Sequence, residues 1–323
     1  MSELEKLKKM SVLRRWLYAL KVMSWPKLLI PFIFGQSYGI LVSQEVNIFI
    51  IFYGLFFTIF LLIYIVLLND YADIQVDTIK RQLFPNDCSP KTIPDQILNK
   101  NEVLRMGILS ATLCVLLSLV TEAYLNIPYL TYFSLICIFV FAAYSLPPIR
   151  LNYRGGGEFL EMIGVGTMLP TFHYYLHTNV IWDKSFFALI SVSTTLALTS
   201  ALASGMSDEI SDRDGGKNTF VTILGNESVR KIIQKLLIFT YLLLLCIFIW
   251  RNDEFLFSAS VVSIFYYLYQ LYYINFWYKS ANTNSFNAQK YYKNHLHKLI
   301  WGLFLILSIS AIVKKYLPSI FSL

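Results

Sequence analysis

Residues 48–77 read IFIIFYGLFFTIFLLIYIVLLNDYADIQVD, a long apolar run that ends directly in Asp70, Asp73 and Asp77. An apolar run of this length predicts a helix that crosses the hydrocarbon core of a bilayer. On a helix, positions spaced by three, four and seven residues share one face, so the three carboxylates are expected on one side. Ionisable side chains beside membrane segments are costly to desolvate, which makes them candidates for function.

A second acidic segment follows another apolar run about 140 residues later. There Asp208 and Asp212 are four residues apart, and Arg213 and Lys217 follow them. So many like charges repel one another unless a cation lies between them. Carboxylate and amide oxygens without a nearby thiol suit a hard ion such as Mg²⁺, which completes its shell with waters and substrate phosphates. The two segments together predict a diphosphate-binding clamp.

The composition is that of an integral membrane protein. Of 323 residues, 56% are hydrophobic and 15% charged, and the mean hydropathy is +0.54, beyond the apolar share of ordinary soluble domains. The runs are too long for the strands of a membrane barrel, which favours an all-α fold. The predicted spans are 26–43, 47–69, 103–121, 128–147, 158–178, 185–205, 231–250, 254–277 and 296–316.

The positive charges predict the orientation. With the N-terminus in the cytoplasm, 23 of the 27 Lys and Arg residues lie on the inner side, as the positive-inside rule requires. Both acidic segments then face the cytoplasm, and the C-terminus lies outside. The basic residues are scattered among membrane-facing loops, so nucleic acid is not an expected partner. Residues 5–23 predict an amphipathic surface helix that offers anionic lipids Lys6, Lys8, Lys9, Arg14, Arg15 and Lys21.

The chain is expected to form one membrane domain over residues 1–323, with a faint internal repeat. Each acidic segment opens a polar loop, at 70–101 and 206–230, and Gly215-Gly216 is suited to stopping a helix. The four cysteines show no metal or redox spacing. His173 and His177 are expected to be polar residues that face a cavity. His295 and His297 are expected at the membrane interface.

These segments resemble the UbiA superfamily of intramembrane prenyltransferases. The first signature of that family, NDxxDxxxD, is complete, and the second has the form DxxxDRxxGKxT over residues 208–219. The stretch YSLPPIRLNYRGGGE at 144–158 looks like that of the dihydroxynaphthoate, or menaquinone-pathway, branch. The resemblance implies nine transmembrane helices around a central cavity that is capped by cytoplasmic loops.

The resemblance also implies an activity: Mg²⁺-dependent transfer of a prenyl group from an allylic diphosphate to a small aromatic acceptor, in a bacterial inner membrane. Mn²⁺ is the alternative metal. Lys91-Thr92-Ile93-Pro94 looks like the family's RPLP-like turn. The implied metal ligands are Asn69, Asp70, Asp73, Asp208 and Asp212. The implied catalytic residues are Asp73, Asp208, Asp212 and Lys217. The implied substrate contacts are Lys91, Arg213 and Lys217 for the diphosphate, and Tyr144, Arg150 and Arg154 for the acceptor.

Several alternatives stay open at this stage. For Asp77, a loop-ordering salt bridge to Lys80 or Arg81 fits the sequence as well as a role in the site. For Arg150 and Arg154, a role as topology anchors is also open. A membrane terpene cyclase, or transfer to a non-aromatic lipid, would use the same donor chemistry. A secondary transporter is a third class, but its charges lie at mid-depth on Gly/Pro-broken helices, and no such pair occurs in this sequence.

Overall fold

A computed structural model describes residues 11–181, 183–250, 254–283 and 285–317, and regular secondary structure in these ranges is helical. A π-helical segment, Met162–Met168, joins the helix Gly157–Glu161 to the helix Leu169–Thr178. The helices are α1 (Val12–Ala19), α2 (Pro26–Ser43), α3 (Ile48–Ala72), α4 (Ile74–Leu83), α5 (Lys100–Leu125), α6 (Leu130–Ser145), α7 (Gly157–Glu161), α8 (Leu169–Thr178), α9 (Lys184–Met206), α10 (Glu209–Asp214), α11 (Phe220–Leu224), α12 (Asn226–Trp250), α13 (Glu254–Tyr278) and α14 (Phe286–Tyr316).

Five helices in the described ranges are long and apolar enough to cross a membrane, namely α3, α5, α9, α12 and α14. The pair formed by Val12–Ser24 and α2, bent by 62°, raises the number to six. The other predicted spans also fall on helices, but α6 has only 16 residues, about 24 Å against a core of about 30 Å. The all-helical membrane fold is therefore confirmed, and the count of nine spans stays a prediction.

The long helices pack as successive neighbours, and the last returns to the first. Helix α3 lies on α5, α9 lies on α12, and α14 contacts both α13 and α2. Apolar side chains form one core on each side of the molecule, centred on Phe186 and Leu237 in one half and on Phe57 and Leu61 in the other. Helices α2 and α8 supply residues to both cores and pack closely against each other, so they form the seam between the halves.

Buried polar groups bridge this seam. His173 lies within hydrogen-bond distance of Thr58 (2.9 Å) and Gln36 (3.3 Å), and His177 contacts the other end of the Gln36 amide at 2.5 Å. A side chain on Gly54 would lie 2.3 Å from the Gln36 amide nitrogen, so this glycine makes room for the network. The two histidines are thus helix-packing residues with side-chain partners, and the prediction that they face a cavity stays a prediction.

The predicted N-terminal surface helix overlaps α1, and its place at a membrane surface stays a prediction. Residues 5–10, with Lys6, Lys8 and Lys9, lie outside the described residues. Helix α1 exposes Val12 and Leu13, as a helix lying on a membrane would. Its Ala19, however, is buried in an apolar cluster that also contains Leu67. Lys21, which was predicted to meet lipid, points inward to Asp70.

Candidate active site at the two aspartate-rich segments

Each aspartate-rich segment lies where a long helix breaks and a short one begins. Asp73 separates α3 from α4 with φ −102° and ψ 16°. Asp208 precedes α10 with nearly the same backbone angles, φ −112° and ψ −2°. This bridge region of φ/ψ space is sparsely populated and is frequent in active sites. The predicted internal repeat therefore has a local counterpart: both segments turn at an aspartate.

The three aspartates of the first segment are buried, and each contacts a lysine. Asp70 pairs with Lys21, Asp73 with Lys217 at 2.8 Å, and Asp77 with Lys91. Because the helix breaks at Asp73, the three aspartates do not line one continuous helical face. The prediction of a shared helical face is therefore wrong. Asp77 does form a loop-ordering salt bridge, but its partner is Lys91 rather than Lys80 or Arg81.

Lys217 connects the two segments. Its ammonium lies 2.8 Å from Asp73 and 3.9 Å from Asp212, so one cation lies between a carboxylate of each segment. A second connection runs from Lys80 on α4 to Asp208. The sequence therefore correctly predicted that the two segments face each other. It assigned Lys217 to catalysis and to the diphosphate, but not to the salt bridges that join the segments.

Close backbone packing permits this approach. Helices α4 and α10 are in contact, and a side chain on Gly215 would lie 2.5 Å from the Val76 side chain and 3.0 Å from the Ser211 carbonyl. Gly216 has φ +72°, a left-handed conformation that favours glycine. The backbone N–H of Lys217 then donates to the Asp212 carbonyl at 2.8 Å. As predicted, the glycine pair ends the helix, and the turn brings Lys217 back over the site.

The loop after α4 is held by one carboxylate. Asp95 accepts two hydrogen bonds from Arg81 (2.8 and 2.7 Å), one from the Tyr18 hydroxyl (2.6 Å) and one from the backbone of Lys91 (3.1 Å). The same loop presents Thr92, whose hydroxyl donates to Asp70 at 2.6 Å. Asp95 therefore orders the segment that supplies Lys91 and Thr92 to the aspartates.

Residues 146–158 connect α6 to α7, and their main contacts hold the ends of helices next to the site. Arg150 donates to the Ala72 carbonyl (2.8 Å), where α3 ends, and its guanidinium stacks 3.5 Å from the Tyr153 ring centroid. Glu158 accepts the backbone N–H of Phe220 at 2.8 Å and so caps α11. The side chain of Arg154 is exposed, and its backbone pairs with Asn218 of the second segment.

These positions bear on the predicted substrate contacts. Arg150 donates to the end of α3, although its Nε is buried without a hydrogen-bond partner, and Arg154 is exposed. Tyr144 lies within electrostatic reach of Asp73 and Lys217. Arg213, predicted to contact diphosphate, is 56% exposed and bonds to Glu209 at 3.0 Å.

Burial and charge shift the ionisation of the central groups. Burial raises the pKa of Asp212 to about 6, against the opposing effect of Lys217. Burial would lower the pKa of Lys217, but Asp73 and Asp212 outweigh it and the pKa is raised. Burial lowers the pKa of Lys80, and the positive charges of Lys91 and Lys293 add to this effect. Carboxylates and ammonium groups thus lie next to one another throughout the site and shift one another's pKa values.

The donor atoms present suit a hard cation. Among the described residues, no three His, Cys, Asp or Glu side chains are already arranged as a metal-binding group, because the carboxylates are paired with lysines. However, the second carboxylate oxygen of Asp73 is buried without a hydrogen-bond partner. Buried charged oxygens are normally satisfied, so an orphaned one beside Asp212 fits a site for Mg²⁺. Asn69, the remaining predicted ligand, accepts a long hydrogen bond of 3.4 Å from Ser145.

Sequence reasoning missed several polar residues of this region. Lys21 and Thr92 hold Asp70, Lys80 holds Asp208, and Lys293 of α14 contacts the Ser207 hydroxyl at 3.3 Å. His297, predicted at the membrane interface, instead bonds to Ser200 at 3.0 Å inside the bundle. Some indication that Lys80 belongs to the site was present in the sequence, because Lys80 is only three residues from Asp77. The other contacts join distant parts of the chain.

Comparison with known proteins bears on the family and the fold. The profile of the UbiA prenyltransferase family matches residues 28–294. A UbiA homolog from Archaeoglobus fulgidus bound to DMAPP and Mg²⁺ has a TM-score of 0.69 at 16% identity, covering 92% of this chain and 99% of that one. A UbiA homolog from that organism bound to GPP and Mg²⁺ has a TM-score of 0.68 at 18% identity, covering 96% and 100%.

A structure of digeranylgeranylglyceryl phosphate synthase is also similar, with a TM-score of 0.61 at 18% identity, covering 94% of this chain and 99% of that one. At these identities the likeness of the solved structures shows a common fold. No curated protein matches the sequence significantly.

Proposed function

The chain belongs to the UbiA prenyltransferase family, and from this premise we propose that it transfers a prenyl group from an allylic diphosphate to a small aromatic acceptor. The observation that carries the proposal is the position of Lys217, which joins Asp73 of one aspartate-rich segment to Asp212 of the other. A clamp of this kind suits a ligand that brings its own cations and several anionic oxygens. A diphosphate with Mg²⁺ meets both requirements.

The donor half of the reaction follows from the charges. Asp73, Asp208 and Asp212 are the residues that would hold Mg²⁺, with Asn69 and Asp70 beside them. Bound Mg²⁺ would neutralise the diphosphate and stabilise it as a leaving group. The ammonium groups of Lys91 and Lys217, which now pair with carboxylates, would then be released to donate to diphosphate oxygens. Closure of the cap over the bundle would keep water away from the allylic cation.

The acceptor half of the reaction is less well defined by the structure than the donor half. The sequence of residues 144–158 supports an aromatic acceptor of the quinone-precursor type, as in the menaquinone pathway. Tyr144 remains a candidate for the acceptor side, since it is buried within electrostatic reach of Asp73 and Lys217. For Arg150 and Arg154 we propose structural roles, because the first supports the end of α3 and the second is exposed.

We further propose that nine helical segments span a bacterial inner membrane with the aspartates at its cytoplasmic face. The strong inward bias of Lys and Arg supports this orientation. The short α6 and the π-interrupted 157–178 stretch would complete the bundle through contacts with longer neighbours.

The test is an assay of the purified full-length protein with Mg²⁺, GPP and a panel of aromatic acids that includes 1,4-dihydroxy-2-naphthoate. We expect diphosphate release together with a prenylated aromatic product, both abolished by EDTA. Diphosphate release without an aromatic product would point instead to a cyclase or to a lipid acceptor, which glycerol-based lipids in the panel would reveal. No release with any prenyl diphosphate would contradict the donor chemistry as well.

A further inference from the structure

The start of α14, the last helix, lies against both aspartate-rich segments. The ring of Phe286 stacks on that of Phe84, which directly follows α4, with 4.3 Å between the ring centroids. Just before α14, the Thr283 hydroxyl donates to the carboxylate of Glu209 on α10 at 2.9 Å. Helix α14 is therefore positioned to add side chains to the site, although both segments are distant from it in the sequence.

One lysine of α14 enters this contact. The ammonium of Lys293 donates to the Ser207 hydroxyl at 3.3 Å, and that hydroxyl donates in turn to Asp208 at 3.3 Å. Lys80 also contacts Asp208, and the charge of Lys293 acts on Lys80. Lys293 thus lies at the edge of the site in which we propose that Mg²⁺ and diphosphate bind.

Lys293 differs from the other lysines of the site in its partners. Four other ammonium groups each contact an aspartate, namely those of Lys21, Lys80, Lys91 and Lys217. The ammonium of Lys293 contacts the neutral Ser207 hydroxyl instead, and among the described residues no carboxylate lies within salt-bridge distance of it. Its positive charge is therefore not compensated by a direct partner.

The more distant charges do not compensate Lys293 either. The positive charges of Lys27, Lys290 and Lys91 each act on it more strongly than the carboxylate of Glu161 does. Removing a charge from water without an opposite charge beside it costs free energy, so packing alone does not explain a lysine at this position. An anion that entered here would be attracted by several ammonium groups at once.

A lysine near the start of an inserted helix often serves as a topology anchor. Lys290 fits that role, because its side chain is exposed. Lys293, one turn later, is partly buried and places its ammonium on Ser207, where α14 packs against α9. A topology anchor requires no such inward position, whereas a ligand for an anion at the aspartates does.

We propose that Lys293 binds the diphosphate of the prenyl donor, so that the last helix completes the donor site. This assignment rests on the proposed function, since it presupposes a diphosphate substrate. Lys91 and Lys217 must leave their aspartates before they donate to phosphate oxygens, but Lys293 has no salt bridge to break. The ligand in turn supplies the negative charge that this position lacks.

The test measures binding of inorganic diphosphate with Mg²⁺ to the purified full-length protein, without any acceptor, by titration calorimetry. In Lys293→Met the Kd should rise about 10- to 100-fold, the range expected for loss of a hydrogen bond between charged groups. The KM for GPP should rise in parallel. Lys290→Met removes the same charge from an exposed position one turn away, and should keep the Kd within about threefold because exposed charges contribute little.

The melting temperature provides a second measurement. Because Lys293→Met removes a charge without a counter-ion, the melting temperature of the ligand-free protein should stay the same or rise. The stabilisation by Mg²⁺ with diphosphate should shrink, since weaker binding stabilises less. A lysine with a purely structural role would show the reverse, a lower melting temperature and an unchanged effect of the ligand. That result, or an unchanged Kd, would overturn the proposal.

Two further outcomes identify what has failed. If the wild-type protein does not bind diphosphate with Mg²⁺, the proposed donor chemistry fails and this inference fails with it. If the wild-type protein and Lys293→Met bind diphosphate equally well, only this inference fails. Phosphatidylglycerol added to the detergent is the control for a lipid headgroup. If it stabilises the wild-type protein but not Lys293→Met, while diphosphate stabilises both, the lysine binds lipid and not the donor.

Discussion

At the scale of single residues, the aspartates of the site differ in what surrounds them. Asp73 has one oxygen on Lys217 and one without a partner, whereas Asp208 is 39% exposed and meets only Lys80 and Ser207 among the described contacts. Asp214, in the same short helix as Asp212, is exposed. The three positions therefore separate a catalytic requirement for a carboxylate from a general effect of negative charge in this segment.

We expect Asp73→Asn and Asp208→Asn each to lower turnover at least about 100-fold, or about 2.7 kcal/mol of transition-state stabilisation. The amide keeps the size of the side chain but removes the charge that a cation requires. Steady-state rates with GPP and the aromatic acceptor measure the effect, and Asp214→Asn should keep the wild-type rate. A variant at 73 or 208 that keeps more than about a tenth of that rate would remove the residue from the metal site.

At the scale of secondary-structure elements, the contact between α4 and α10 decides whether the two aspartate-rich segments meet. We expect Gly215→Ala to destabilise the protein by about 1–3 kcal/mol, as overpacking does, because its new methyl group would lie 2.5 Å from Val76. Thermal unfolding in detergent measures this change, and activity should fall as the segments separate.

Two substitutions control that experiment. Adding Val76→Ala should recover part of the loss, since it removes the atom that the new methyl group meets. Gly107→Ala on α5 should be tolerated, because its nearest neighbour would be 3.7 Å away. If Gly215→Ala is as stable and active as Gly107→Ala, close packing at this contact is not required.

The same scale shows what the sequence can and cannot predict. Apolar runs predicted the positions of the long helices because burial in lipid depends on local composition. The paired aspartate-rich segments were also predicted, since their charges require a shared cation. The break at Asp73 was not, because helical spacing of 70, 73 and 77 fits a continuous helix equally well. The partners Lys21, Lys293 and His297 were missed because those contacts join residues 49 to 97 positions apart.

At the scale of the whole molecule, orientation can be measured directly. In a protein whose exposed Cys246 and partly exposed Cys88 are changed to serine, cysteines at the exposed positions Lys100 and Glu227 should react with an impermeant thiol reagent only from the cytoplasmic side. A cysteine at the exposed Asn126, at the opposite end of α5, should react only from the outside. The reverse pattern would place the aspartates on the outer face.

Removal of metal should affect activity and stability differently. We expect EDTA to abolish turnover and yet to shift the melting temperature of the ligand-free protein by no more than about 2 °C, because lysines already neutralise the buried aspartates. The shift is compared with that caused by Lys217→Met, which leaves Asp73 and Asp212 without their shared cation and should lower the melting temperature by more. A protein that unfolds in EDTA would instead depend on metal for its fold, as structural zinc domains do.

The lysine–aspartate pairs also bear on how the protein is made. A site whose acidic groups repelled one another would have to wait for divalent ions before its two halves could close, and during that time the newly inserted chain would be exposed to proteases. Here the chain supplies its own positive charges, from the turn after α1, from α4 and from both loops, so the cap can assemble as soon as the last helices enter the membrane. Biogenesis is thereby separated from the supply of magnesium, and each catalytic cycle begins from a cap that is already closed by its own side chains.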